Sequence, residues 1–244
     1  MRVNRVYIDG PLAVAGRIAL PESAAAHLLR VLRLGLGDGC VLFNGDGNDY
    51  GARIVAVDKR GGEVEITGAC PVASESPLRI VLLQGIARGE KMDWIVQKAT
   101  ELGAAAFVPV NSDRSEVRLD GERAARRLAH WRSVVVAACE QSGRAIVPQV
   151  APPQALVAAL PHLPQAGLRL ILDPAAGDGI TALADPGAGP VVVAIGPEGG
   201  WSTRDRAVLE DAGFIGVRLG PRILRTETAG IAAIVALQSR FGDL

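Results

Sequence analysis

Apolar and polar residues change rhythm once along this chain. Up to about residue 70 they form short alternating runs bounded by glycine, at 2–9, 17–20, 39–43, 50–58 and 63–67, with turns at Gly45-Asp46-Gly47 and Gly61-Gly62. Alternation with a period of two marks half-buried strands. One helix is expected among them, opened by Glu22 and Ser23 and running through 26–30 toward Arg33. Short strands at this spacing predict a small β-barrel. The stretch 71–77, PVASESP, has linker composition. The first domain is therefore placed at 1–72, the linker at 73–77 and the second domain at 78–244.

Beyond the linker, strands alternate with helices. Apolar strands are expected at 78–86, 104–110, 168–172, 191–195 and 214–219. Helices are expected at 91–102, 121–142, 203–212 and 226–240. In the first of these, Met92, Ile95, Val96, Ala99 and Leu102 share one face, and Gly103 is the stop. This alternation predicts an α/β layer on a mostly parallel sheet.

Composition narrows the class. With 244 residues and 49% hydrophobic content, the chain can bury a substantial core. It carries 26 basic and 26 acidic residues, so any grip on a polyanion must be a local patch. Residues 1–75 hold eight basic and nine acidic side chains, so the first domain is not basic as a whole. Cys40, Cys70 and Cys139 are odd in number and far apart. That speaks against a disulfide framework or a zinc site and for a reducing cytoplasm. The opening MRVNRVYIDG lacks a signal-peptide run, and no apolar run approaches the roughly 20 residues needed to span a bilayer.

Two loops carry the chemistry. The strand at 191–195 runs into Gly196-Pro197-Glu198-Gly199-Gly200-Trp201-Ser202, where glycines let backbone N–H groups approach a ligand that a Cβ would block. Ser202 is placed to cap the next helix, with Asp205 at the capping-box position. One βα unit later the strand at 214–219 runs into Gly220-Pro221-Arg222-Ile223-Leu224-Arg225, and Thr226-Glu227-Thr228 opens the last helix. Paired loops at the carboxyl ends of strands are where α/β proteins build ligand crevices. Neither GxxxxGK[ST] nor GxGxxG occurs. The segment LILDPAAGDG at 170–179 resembles the cofactor loop of Rossmann-like methyltransferases, but 185–190, DPGAGP, breaks the helix that must follow. It is read as a loop bordering the site.

Together IGPEGGWS at 195–202 and LGPRILRTETA at 219–229 resemble the cofactor loops of the 16S rRNA (uracil-N3) methyltransferases, a family of the SPOUT class. Lys91-Met92-Asp93, the run QKATELG at 97–103, Arg114-Ser115 and EQSGR at 140–144 agree with this. HLLRVLRL at 27–34 resembles the family's PUA-like RNA-binding domain. The resemblance spans nearly the whole chain. It implies a trefoil-knotted α/β methyltransferase domain behind a PUA-like β-barrel, although general topology rules disfavour knots. It also implies a homodimer, S-adenosylmethionine as cofactor, and 16S rRNA within a small-subunit particle as substrate.

Carried over residue by residue, the resemblance assigns cofactor binding to Gly196, Pro197, Glu198 and Gly199, and to Leu219, Gly220, Ile223, Leu224, Arg225, Thr228 and Ala229. Leu172 and Pro174 flank them. Uracil N3 must lose a proton, to a base or under nearby positive charge. The candidates are Arg114, Glu140, Arg144 and Arg225, with Glu227 after them. RNA contact falls to Arg2, Arg5, His27, Arg30 and Arg33. Two rival readings are a Rossmann-like methyltransferase built around 173–179, and a noncatalytic RNA-binding protein whose α/β domain holds a nucleotide.

Overall fold

A computed structural model describes residues 4–58 and 61–244. The chain divides into two compact units, Met1–Glu75 with Cys139–Val147, and Ser76–Ala138 with Pro148–Leu244.

The first unit is built on strands β1 (Arg5–Tyr7), β2 (Arg17–Ala19), β3 (Gly39–Phe43), β4 (Asn48–Val57) and β5 (Gly62–Pro71), in the order β1-β3-β4-β5-β2. Between β2 and β3 lies α1 (Glu22–Ala25), which passes directly into a π-helical turn, Ala26–Val31. The expected single helix is thus two pieces, and the N–H of Leu32 reaches back five residues to the carbonyl of His27 at 2.9 Å. Alternation does what it predicts in the long hairpin: Ile54 pairs with Val64 and Ala52 with Ile66, all four buried on one face. Val6, Leu20, Leu28, Leu42 and Tyr50 complete that core.

Buried ion pairs join distant segments within this unit. The Arg5 guanidinium donates to both carboxylate oxygens of Asp49 and to the carbonyls of Cys139 at 2.8 Å and Arg144 at 3.3 Å. It also lies over the Phe43 ring. The Arg144 side chain, 4% exposed, pairs with Glu75.

The second unit is a parallel sheet with helices on both faces. Its strands are β6 (Ile80–Gly85), β7 (Ala104–Asn111), β8 (Gln149–Val150), β9 (Gln154–Ala155), β10 (Leu168–Leu172), β11 (Val191–Ile195) and β12 (Ile215–Val217). Their order is β12-β10-β11-β6-β7-β8, and β9 also pairs with β7. Every residue of β6 and β11 is buried. Both faces are covered, which is why these strands read as unbroken apolar runs. The helices are α2 (Lys91–Glu101), α3 (Gly121–Ser142, which belongs to this unit as far as Ala138), α4 (Leu156–Ala159), α5 (Thr203–Asp211) and α6 (Thr226–Phe241). Val81, Leu83, Val192, Ala194 and Ile171 pack with Leu156 of α4 and Leu209 of α5. On the other face α6 packs on α2, β6 and β11. It lies close to the sheet at Gly230, where an added Cβ would stand 3.7 Å, an ordinary contact distance, from Leu82, Gln84 and Ile195. No helix of the described residues is long and apolar enough to cross a membrane.

Candidate active site

β11 lies between β6 and β10, while β7 extends the sheet on the opposite side of β6. Parallel sheets open a crevice at the carboxyl edge where the winding reverses in this way. Here the loops that follow β10, β11 and β12 surround a cavity of about 440 Å³. That is the size of pocket that takes a small-molecule ligand.

Tight backbone contacts form its wall. A Cβ on Gly85 would stand 2.5 Å from Cδ of Pro197, so the end of β6 and the loop after β11 approach as only glycine permits. A Cβ on Gly196 would meet Gly200 at 3.0 Å, because the same loop curls back on itself. Thr226 Oγ1 donates to the Gly196 carbonyl at 2.6 Å and accepts from Gln84 Nε2 at 3.0 Å.

The helix after this loop begins as the sequence predicts. Ser202 Oγ accepts from Asp205 N at 2.9 Å, and Ser202 N donates back to the Asp205 carboxylate at 3.1 Å. The same carboxylate accepts from Asp113 N at 3.2 Å, while Ser202 Oγ donates to Asp113 at 2.8 Å. The cap therefore also holds the turn at 112–115. From that turn Arg114 Nη1 donates to the Gly199 carbonyl at 3.1 Å.

Of the residues expected to hold a cofactor, Leu172, Pro174, Gly196, Pro197, Glu198, Leu219, Gly220, Ile223, Leu224, Arg225 and Ala229 line the cavity. Gly199 is not in the lining and instead meets Arg114. Thr228, also outside it, donates its N–H to the Arg225 carbonyl. Ile223 is 85% exposed. The lining further includes Lys91, Asp173, Trp201, Arg206, Arg222, Thr226 and Glu227, for which no cofactor role is expected from the sequence. Lys91 opens α2, far from the loops in sequence, and its nearest signal is the motif beginning at Lys91 itself.

The remaining expected residues fall elsewhere. Arg225 stands at the cavity and Arg114 on the turn beside Gly199. Glu140 and Arg144 belong to the first unit, where Glu140 Oε1 accepts from Tyr7 N at 3.0 Å and Arg144 pairs with Glu75. His27, Arg30 and Arg33 are exposed. Arg5, expected at an RNA surface, is instead buried, its guanidinium taken up by Asp49 and two carbonyls. Arg2 lies outside the described residues.

Two lining carboxylates are already engaged. The Arg206 guanidinium bonded to Asp173 holds that carboxyl below its ordinary range. Burial acts to raise the pKa of Glu198. Hydrogen bonds from Lys91 Nζ at 2.8 Å, from its own N–H and from Arg88 N at 3.1 Å outweigh it, and the carboxyl sits low. Segment 173–179 turns at once, Ala175 N donating to Asp173, and a three-residue 3₁₀ turn, Ile180–Ala182, follows. The long helix of a Rossmann cofactor loop is absent at that point.

Comparison with known proteins places this geometry. An RNA methyltransferase domain model matches residues 74–238, and an RNA methyltransferase PUA domain model matches 20–67. Ribosomal RNA small subunit methyltransferase E of Buchnera aphidicola is 33% identical over 243 residues, covering 100% of this chain and 98% of its own. The crystal structure of the Neisseria gonorrhoeae protein of that name, bound to S-adenosyl methionine, superposes with a TM-score of 0.91 at 40% identity, covering 99% of both chains. A Legionella pneumophila protein solved with the bound cofactor SAM gives 0.95 at 37% identity over 100% of both chains. A cavity at the carboxyl edge of a parallel sheet, walled by the two glycine loops, thus sits in a chain that belongs to the RNA methyltransferase family, alongside the ribosomal RNA small subunit methyltransferases E.

Proposed function

We propose that the protein methylates N3 of a specific uridine in 16S ribosomal RNA, taking the methyl group from S-adenosylmethionine. One observation carries this: the loops 196–202 and 219–225, which hold the motif residues, face one cavity of ligand size. The residues fit the cofactor. Peptide groups curled around Gly196 and Gly220 offer donors and acceptors to an adenine edge, and Leu172, Leu219, Ile223 and Leu224 offer apolar cover for its faces. A Cβ at Gly196 would press on the backbone of Gly200 and Trp201 in the same loop, at 3.0 to 3.1 Å.

When bound, S-adenosylmethionine supplies an electrophilic methyl group on a sulfonium. The chain's own task is to align uracil N3 with that carbon and to favour loss of the N3 proton. Arg225 at the cavity and Arg114 beside Gly199 are assigned to the charge that develops on the uracil. Glu140 and Arg144 already serve Tyr7 and Glu75, and no catalytic step is given to them.

The PUA-like unit is assigned to RNA, through the exposed His27, Arg30 and Arg33. Its five strands are read as a barrel. The loops 196–202 and 219–225 are read as a trefoil knot. In support, β10 is paired on both sides, by β11 and β12, and α6 returns to pack on β11 and β6. The working form is assigned as a cytoplasmic homodimer acting on a small-subunit particle, with the domains at 1–72 and 78–244.

Mass spectrometry of rRNA nucleosides tests the activity. Deleting the gene removes N3-methyluridine from 16S rRNA, and restoring it brings the nucleoside back. An unchanged N3-methyluridine signal after deletion rules the activity out.

A further inference from the structure

Three carboxylates line the cavity, and they differ in what already holds them. Asp173 is paired with Arg206 and accepts from Ala175 N at 2.9 Å. Glu198 accepts from Lys91 Nζ at 2.8 Å and from Arg88 N at 3.1 Å. Both are stabilised as anions and so are weakened as bases. Glu227 is different. Its Oε2 is buried and has no hydrogen-bond partner. The Lys91 ammonium stands 3.9 Å from it, beyond hydrogen-bond reach. None of the chain's three histidines, His27, His130 and His162, lines the cavity.

A carboxylate oxygen shut off from water with no donor is costly unless a ligand supplies one. Resting on the methyltransferase reading above, we infer that Oε2 of Glu227 accepts the N3 proton of the target uracil. As the N3–H bond breaks, the proton passes to Oε2. The electron pair left on N3 forms the new bond to the methyl carbon, and the carbon–sulfur bond breaks with its pair remaining on sulfur as a neutral thioether. Lys91 keeps its 2.8 Å partner, Glu198, when Glu227 becomes neutral, so the step strands no buried cation. The charged groups sharing the cavity with Glu227 are Lys91, Asp173, Glu198, Arg206, Arg222 and Arg225, and of these Lys91 from α2 is paired with it at 3.9 Å.

The test uses the full-length protein and its Glu227→Gln and Glu227→Asp variants. It measures single-turnover methylation across a pH series, and calorimetric affinity for S-adenosylmethionine and S-adenosylhomocysteine. Glu227→Gln is expected to slow methyl transfer by about 100-fold or more near neutral pH, with cofactor affinities within about threefold of wild type. Its deficit shrinks as the pH rises and solvent hydroxide takes the proton instead. Glu227→Asp, a shorter base, recovers part of the rate. A Glu227→Gln rate within about threefold of wild type overturns the assignment, as does a deficit equally deep at every pH. Cofactor affinity lost in step with rate, in both variants, makes Glu227 a cofactor-holding or structural side chain and also overturns it. A wild-type protein that forms no N3-methyluridine sinks the activity itself, whereas an active wild type matched by Glu227→Gln sinks only this assignment.

Discussion

Thr226 Oγ1 donates a 2.6 Å hydrogen bond to the carbonyl of Gly196, tying the first turn of α6 to the loop that follows β11. The hydroxyl in turn accepts from Gln84 Nε2, and Gln84 and Thr226 are both buried. Replacing Thr226 by Val keeps the shape but leaves the Gln84 amide and the Gly196 carbonyl each short of one partner. Stability is expected to fall by about 1–3 kcal/mol, and cofactor affinity by about two- to tenfold if half of that strain falls on the loop. Thr226→Ser keeps both bonds and recovers most of each loss. Urea unfolding and calorimetric titration with S-adenosylmethionine check the pair.

Gly85 gives a steric counterpart. A Cβ there would lie 2.5 Å from Pro197 Cδ and 2.6 Å from Pro197 N, so Gly85→Ala forces backbone apart at the cavity wall. A loss of about 1–3 kcal/mol is expected, with weaker cofactor binding. Gly68→Ala, where the added carbon meets nothing within 4 Å, is the control and should leave both unchanged. Thermal unfolding with and without cofactor separates the two variants.

The Asp173–Arg206 pair predicts a pH dependence of definite sign. The folded protein holds the Asp173 carboxyl below its ordinary value of 3.8. A depressed pKa contributes stability that is fully present above the unfolded value and is lost as pH falls through the folded one. Wild type should therefore exceed Asp173→Asn in stability near neutral pH. The margin should vanish in strong acid, once both carry a neutral side chain. Because the pair is partly exposed, the margin should be about 1 kcal/mol or less. Urea midpoints measured from neutral pH to well below 3.8 give the curve, and a margin that grows on acidification contradicts it.

What could be read from the sequence follows the range of the forces involved. β6 and β11 were visible as apolar runs because each is covered on both faces. Ser202 and Asp205 were visible as a cap because that bond spans three residues. The second role of Asp205, accepting from Asp113, joins residues 92 apart and leaves no local mark. The burial of Arg5 was hidden for the same reason. Its charge suggests a surface, yet Asp49 and the carbonyls of Cys139 and Arg144 come to it from 44 to 139 residues away. The strand order, with β11 inserted between β6 and β10, is likewise set by pairing across the fold. The cavity loops were legible because glycine is written into the sequence wherever backbone must approach backbone. Lys91 lines the same cavity without such a marker.

The three thiols should differ sharply in reactivity. Burial pushes Cys40 up to about 11 and Cys139 up to about 12, whereas Cys70 is exposed on β5. Thiolate is the reactive form, so a thiol-specific chromogenic reagent at mildly alkaline pH should titrate Cys70 promptly and the other two only on unfolding. Cys70→Ser should abolish the fast phase and leave stability nearly unchanged. Rapid labelling of Cys40 in the folded protein would contradict the packing of the first core.

The RNA surface can be tested through salt. Arg30 lies in the last turn of the π-helical segment, and Arg33 stands two residues beyond its end with φ of 56°, a left-handed conformation unusual for a side chain of this size. Both side chains are exposed. If each meets a phosphate, Arg30→Ala and Arg33→Gly should weaken binding to all sequences alike. Each should also reduce the slope of log affinity against log salt by about 1. Glycine is the informative choice at 33, since it adopts the same backbone at no steric cost. Arg33→Gly should therefore match or exceed wild type in thermal stability while binding RNA less tightly. Fluorescence anisotropy with a 16S rRNA fragment across a salt series measures both quantities. An unaltered slope in both variants would move the RNA contact away from this turn.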